Sequence, residues 1–459
     1  MSRKNGQRGF RQRFTPSLAR AAQSVAGTTK LSAGALSDPS ARLLNADLLA
    51  CLAAATLPWS TTGFTIVLSL WLVAVIFLMP TFGVSQFLDL LFRPICLSAL
   101  AIFFLALIGI TWGDVPTQDV LRGIRPVIKL LAIPFLIYHF QNSARGDAVF
   151  KAFLASCVLL MGLSWIVLFA PELKLNPAAA AGVPVRNYID QTQEFALCMI
   201  ALAPCAVSFY RQRRYALAAA CAALMLCFFF NLAFVAAART ALIYFPVLVI
   251  VFAAKHLDRR QSWILLFFVS LAAVAVWFSS SYLRSRVENI SAEYELYKQG
   301  VPLSTGLRLE YWQKSFRFFV DAPMIGHGTG SIKTMFERDA EGKSGLSAVV
   351  IGNPHNQTLA VAVQWGALGI IALYTMWLFH LWFFRGEEFA SWIGTLVVIQ
   401  NICSSVLNSH LFDFQEGWMY VVGVGAAAGM SLRARGSKKP VELTHYLGDL
   451  AASRTQRGI

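Results

Sequence analysis

Apolar runs about as long as a bilayer is thick dominate this chain, and they restrict its fold more than any other feature. Between Leu48 and Met430 twelve such runs follow one another, at roughly 46–60, 63–80, 97–112, 126–141, 150–170, 193–210, 214–234, 238–255, 262–280, 357–384, 389–408 and 416–431. A spanning helix needs about 20 mainly apolar residues, because inside lipid each backbone donor and acceptor must be satisfied within the segment. Only 14% of the residues are charged, against roughly 25% in a soluble domain. The fold expected is all-α: a polytopic membrane protein of about 12 transmembrane helices. One stretch breaks the pattern. From about Ser280 to His355 the sequence turns polar and charged, and it ends in Asn353-Pro354-His355-Asn356 just before another apolar run.

Orientation follows from lysine and arginine. Arg3, Lys4, Arg8, Arg11, Arg13, Arg20, Lys30 and Arg42 crowd the N-terminal tail, and Arg433, Arg435, Lys438, Lys439, Arg454 and Arg457 the C-terminal one. Both tails are expected to stay in the cytoplasm, which requires an even number of spans. The short links from Arg211 to Arg214 and from Lys255 to Arg260 then fall on the cytoplasmic side, and the polar segment falls outside. The expected order is a disordered basic cytoplasmic tail (1–45), nine spans (46–280), a large outer loop containing helices (281–356), three spans (357–431) and a cytoplasmic C-terminal tail (432–459). The net charge of +15 reads as an orientation signal. No aromatic and basic recognition module accompanies it, so no nucleic-acid partner is expected. All eight cysteines lie in or beside apolar runs, with no CxxC, and read as small core residues. Neither a Walker A sequence nor HExxH, DxD or a His/Cys cluster is present, so ATP hydrolysis, a cofactor and a catalytic metal are not expected.

This topology places three histidines outside: His327, His355 and His410. Arg239 stands between Phe234-Val-Ala-Ala-Ala and Thr240-Ala-Leu-Ile, at the outer mouth of the eighth run. An arginine there is costly unless a water-filled cavity or an anion offsets it; the alternative is a snorkelling interfacial side chain. Arg308 lies in Ser304-Thr-Gly-Leu-Arg-Leu-Glu-Tyr-Trp-Gln-Lys-Ser-Phe, where Ser304 or Thr305 resembles an N-cap and Leu309, Trp312 and Phe316 make an apolar face at helical spacing. Early in a helix an arginine opposes the dipole, and a bound phosphate would reverse that penalty; pairing with Glu310 is the plain alternative. Arg186 reads either as a third phosphate contact or as the partner of Asp190. Neutral His355 can accept a proton from a sugar hydroxyl, or can simply start a helix. Asp413 can orient a histidine or a hydroxyl, or can be an exposed interfacial carboxylate.

His355-Asn356, nine residues, then Gly366-Ala-Leu-Gly369 resembles the signature of bacterial O-antigen ligases. The stretch from Gly306 to Gly330, with Arg308, Tyr311-Trp312, Asp321-Ala-Pro-Met-Ile-Gly326 and Gly328, is similar to the large periplasmic loop of the wider ligase and polymerase superfamily, and Arg239 matches an arginine those proteins carry. The resemblance implies a bacterial inner-membrane enzyme that transfers polysaccharide from undecaprenyl diphosphate to lipid A-core at the periplasmic face, with inversion and without metal. It gives His355, Arg239 and Arg308 catalytic roles; Arg186, Asn356, Asp413 and His327 are read beside them as substrate contacts. An O-antigen polymerase or a protein O-oligosaccharyltransferase of the same superfamily is the nearest alternative. A secondary transporter would instead place its polar groups near mid-membrane.

Overall fold

The computed structural model describes residues 38–236 and 238–455. The basic tail expected to be disordered lies outside them as far as residue 37. The described residues form helices and no strand. In chain order they are α1 (Pro39–Thr56), α2 (Thr61–Phe82), α3 (Val84–Leu91), α4 (Pro94–Ile108), α5 (Thr117–Ile128), α6 (Ala132–Asn142), α7 (Gly146–Phe169), α8 (Tyr188–Arg211), α9 (Tyr215–Phe234), α10 (Ala241–His256), α11 (Arg259–Ser279), α12 (Ser281–Lys298), α13 (Ser304–Asp321), α14 (Ser331–Ala340), α15 (Gln357–Phe383), α16 (Phe389–Ser404) and α17 (Phe414–Thr455). Capping places several of these ends: Asp38 caps α1, Ser60 caps α2 and Asp258 closes a capping box on α11.

Each apolar run falls on a helix, and the chain is a multi-pass membrane protein. Among the described residues six helices (α2, α7, α8, α9, α11 and α15) are long and apolar enough to cross a bilayer, with a seventh if α3 and α4, bent by 73° at their break, count as one span. The run at 126–141 is not one helix: a 3-10 turn at Lys129–Leu131 separates α5 from α6. Helices α10 and α16 are apolar but short. α1 begins at Pro39, ahead of the boundary expected from the first apolar run, and α17 continues as helix through the segment read as a C-terminal tail.

The interior forms where α17 lies along α6 and α16, α8 along α9, α1 across α2 and α7, and α15 on α4. Trp71, Tyr138, Phe195, Phe228, Trp365, Trp392 and Tyr420 fill it, all fully buried. By contrast α11 faces outward along nearly its whole length, as a lipid-facing helix can.

The polar segment is folded onto this frame at a break in α15. Gly366 there has φ 60° and ψ −148°, and a side chain on it would run into the backbone of Met324 and Ile325 at 2.5–2.7 Å. Facing it, Gly326 (φ 66°) would meet the backbone of Gln364 and Trp365 as closely. Only glycine permits both conformations and both approaches. The backbone groups freed by the break are taken up across this crossing. Val363 and Gln364 carbonyls accept from His327 and Gly328, and Ala367 N–H donates to the Pro323 carbonyl at 2.8 Å. The two glycine motifs read separately in the sequence are thus one packing unit, and it carries α13 and the His355 turn to the same place.

Candidate active site

α13 is the element on which the site is built. Its N-cap is Leu303, whose side chain makes no cap bond. The expected Ser304 or Thr305 cap is replaced by a carboxylate from another helix: Glu293 of α12 accepts from Thr305 N–H at 2.9 Å and from its hydroxyl at 2.5 Å. The buried face of α13 is also shifted from expectation. Tyr311, Ser315 and Phe318 are buried against Phe336 and Val363, with Leu307 and Trp312 at the margin, while Phe316 is exposed. Lys314 is buried as well and pairs with Asp339 at 2.9 Å.

This rotation aims Arg308, at the fifth helical position, into a cavity of about 110 Å³ lined by Tyr188, Arg239, Arg286, Glu293 and Ser304. Burial draws the Arg308 pKa below the ordinary arginine value and the nearby Arg239 acts in the same direction, while Tyr188 and Glu293 oppose them. Arg239 sits in the non-helical stretch before α10. Its guanidinium grips Glu293 through both outer nitrogens, at 2.6 and 3.0 Å, and reaches the Thr305 hydroxyl at 3.1 Å. Hydrogen bonds from Arg239, against some burial, hold the Glu293 carboxyl down at about 2. A carboxylate of the chain itself thus sits at the start of α13, held by Arg239 and Thr305 and not by Arg308.

One turn beyond Arg308, Tyr311 stacks on the His355 ring (6.2 Å between centroids, 28° between planes), and Trp312 Nε1 donates to the His355 carbonyl at 3.4 Å. His355 has φ 54°, a left-handed backbone that a side-chain-bearing residue keeps only when its surroundings hold it. The Asn353 side-chain oxygen does so, accepting from His355 N–H at 2.9 Å and from Ser409. Asn408 Oδ1 lies 2.7 Å from Nδ1 of the ring. A carbonyl oxygen only accepts, so Nδ1 carries the proton and the Nε2 lone pair is left without a hydrogen-bond partner among the described residues. Burial lowers the His355 pKa, and Arg308 and His410 press it the same way against the Asn408 bond and Asp413. The ring is neutral near pH 7 and suited to take a proton.

The other sequence candidates divide. Asn356 caps α15, accepting from Leu359 N–H at 3.0 Å and donating to the Val406 carbonyl at 2.9 Å. His327 spends Nε2 on the Phe318 carbonyl at 2.7 Å. Both hold the frame of the site, and the structure does not put His327 beside His355. Arg186 does not line the cavity; it pairs with Asp190 at 3.0 Å and donates to Gln415 at 2.8 Å. Asp413 lines a second small cavity together with Asn353, and faces His410. His410 is fully buried, with Nδ1 at 3.3 Å from Asp413 and 3.4 Å from Glu416. Burial opposes its charge, but the two carboxylates raise its pKa to about 9. One ligand atom from each of these three residues lies within 4.8 Å of the others, a spacing not weighed in the sequence. The described contacts are those of a histidinium between two carboxylates. Sequence reasoning missed Tyr188, Arg286, Glu293 and Asn408, because nothing in their local patterns distinguishes them from solvated polar residues.

Residues 230–374 match a family model described as O-antigen ligase. The matched stretch contains Arg239, Arg286, Glu293, Arg308, His355 and the Gly366 break, but not Tyr188, Asn408 or Asp413. No curated protein matches the chain.

Proposed function

We propose, starting from the O-antigen ligase-family domain that residues 230–374 form, that this protein moves a glycan from a lipid diphosphate onto the sugars of a lipid acceptor. The donor is read as undecaprenyl diphosphate-linked O-antigen and the acceptor as lipid A-core, with the site on the periplasmic side of the bacterial inner membrane and twelve spans between cytoplasmic tails. The observation that carries this reading is the juxtaposition, along α13, of an arginine-lined cavity and a histidine with a free Nε2.

The chemistry follows from that pairing. The acceptor hydroxyl attacks the anomeric carbon while His355 Nε2 takes its proton. The bond from that carbon to the phosphate oxygen breaks with inversion, and the lipid diphosphate leaves with its electron pair. Negative charge grows on the leaving phosphates, where Arg308 points into the cavity and Arg239 stands beside it, held by Glu293; cations positioned there lower the barrier. Asn408 fixes the tautomer, and Tyr311 the ring plane. Asp413, in the small cavity beside Asn353, would meet the sugars.

A polymerase would use the same donor. The outer link from Phe169 to Tyr188 is short, which favours the ligase, since polymerases tend to spread their basic groups over two large loops. Incubating the purified protein with lipid-linked glycan and lipid A-core tests the reading: joined product is expected. A longer lipid-linked chain in its place would make the protein a polymerase, and an unconsumed donor would overturn the reading altogether.

A further inference from the structure

α12 contributes two charged side chains to the cavity. Arg286 and Glu293 stand two turns apart on one face of this helix, a spacing that points both in the same direction. The rest of α12 packs so lightly that none of its residues is fully buried. Its inward face is thus explained by the cavity and not by a core.

Arg286 is held in place without its charge being matched. Its guanidinium lies over the rings of Tyr188, at 4.4 Å, and Tyr282, at 5.6 Å, whose phenols also hydrogen-bond to it, while its Nε is buried with no hydrogen-bond partner; no carboxylate pairs with it among the described residues. Arg308 has no hydrogen-bond partner among the described residues. Around the cavity three guanidinium groups face one carboxylate, an excess of two positive charges, and a diphosphate diester carries two negative ones. Glu293 is bound as a phosphate would be, by a two-pronged arginine, a hydroxyl and a backbone N–H at the start of a helix.

We propose that α12 completes the donor site, with Arg286 as a third diphosphate-binding cation and Glu293 as the internal anion that holds Arg239 until the diphosphate replaces it. The inference rests on the donor reading given above. It adds two residues that the sequence does not single out, and an order of events: the donor enters against Arg286 and Arg308, and Glu293 then yields Arg239.

The test is binding of a sugar-free probe, geranylgeranyl diphosphate, to the full-length protein in nanodiscs. Arg308→Gln, Arg286→Gln, Arg286→Lys and Glu293→Gln are each checked for monodispersity and helical content. Loss of a charge-assisted contact is expected to weaken binding about ten- to a hundredfold in Arg286→Gln, with partial recovery in Arg286→Lys, which keeps the charge but not the planar fork. Glu293→Gln is expected to bind the probe at least as tightly as the parent. If Arg286→Gln binds like the parent while Arg308→Gln does not, Arg286 is no ligand and the proposal falls. It falls equally if Glu293→Gln loses as much affinity as Arg286→Gln, since the carboxylate would then be a strut. If the parent itself does not bind the probe and Arg308→Gln changes nothing, the donor reading fails first and takes this proposal with it.

Discussion

Replacing Asn408 with aspartate or leucine separates the two things Asn408 does for His355. It gives Nδ1 an acceptor at 2.7 Å, and it does so without charge, in a place where burial already disfavours imidazolium. Asn408→Asp keeps the acceptor and adds a negative charge in contact with the ring. An opposite charge at such range favours the protonated form by about 1–3 pKa units; with Arg308 and His410 pressing the other way, about 1–2 units is expected. Protonated His355 cannot take the hydroxyl proton, so the acid limb of the pH–rate profile should move up by that amount. Each unit removes about tenfold of the activity on that limb, while the alkaline plateau stays within a few-fold of the parent. Asn408→Leu removes one neutral hydrogen bond, worth about 0.5–1.5 kcal/mol, so the plateau should fall about 2- to 10-fold as the ring loses its tautomer and aim. The assay is single-turnover glycan transfer from pH 5 to 9 in nanodiscs, with donor binding measured alongside. An unshifted acid limb in Asn408→Asp, with donor binding intact, would refute His355 as the proton acceptor.

Three further outcomes follow. His410 has a folded-state pKa raised to about 9, so its ion pairs stabilise fully below about 6.5 and are lost as pH rises through 9; the parent's thermal midpoint should fall over that window, and His410→Gln should flatten the dependence at a cost of about 1–3 kcal/mol at pH 6. Gly366→Ala forces a methyl into backbone at 2.5 Å at a positive φ and should destabilise by roughly 3 kcal/mol or more, whereas Gly352→Ala, which meets nothing within 4 Å, should be silent in the same melting assay. Cysteines placed at Ser291 and Gly436 should label oppositely with an impermeant reagent on intact spheroplasts; labelling at Gly436 but not at Ser291 would invert the proposed topology.

The sequence by itself determined that the chain is helical and membrane-embedded. Apolar length and backbone satisfaction act within a segment, so a run such as 214–234 needs no partner to become α9. It also singled out Arg239, Arg308 and His355, because a charged group or a helix-starting histidine beside apolar residues is conspicuous locally. It misread the start of α13, since a Ser304 or Thr305 cap is a local expectation and the cap here is Glu293, a residue on another helix. For Arg186 the sequence left a phosphate contact and the Asp190 pair open, and the structure has the pair; for His327 and Asn356 their polarity shows in sequence while the carbonyls they bond to do not. Only the tertiary structure decided what fills the space around Arg308. Arg286, Glu293, Tyr188 and Asn408 come from two other helices and a loop, and look like ordinary solvated residues until the Gly326–Gly366 crossing brings the polar segment down onto α15. Hydrophobic periodicity is a property of neighbours along the chain, whereas a charge's pKa, its partner and its aim are set by neighbours in space.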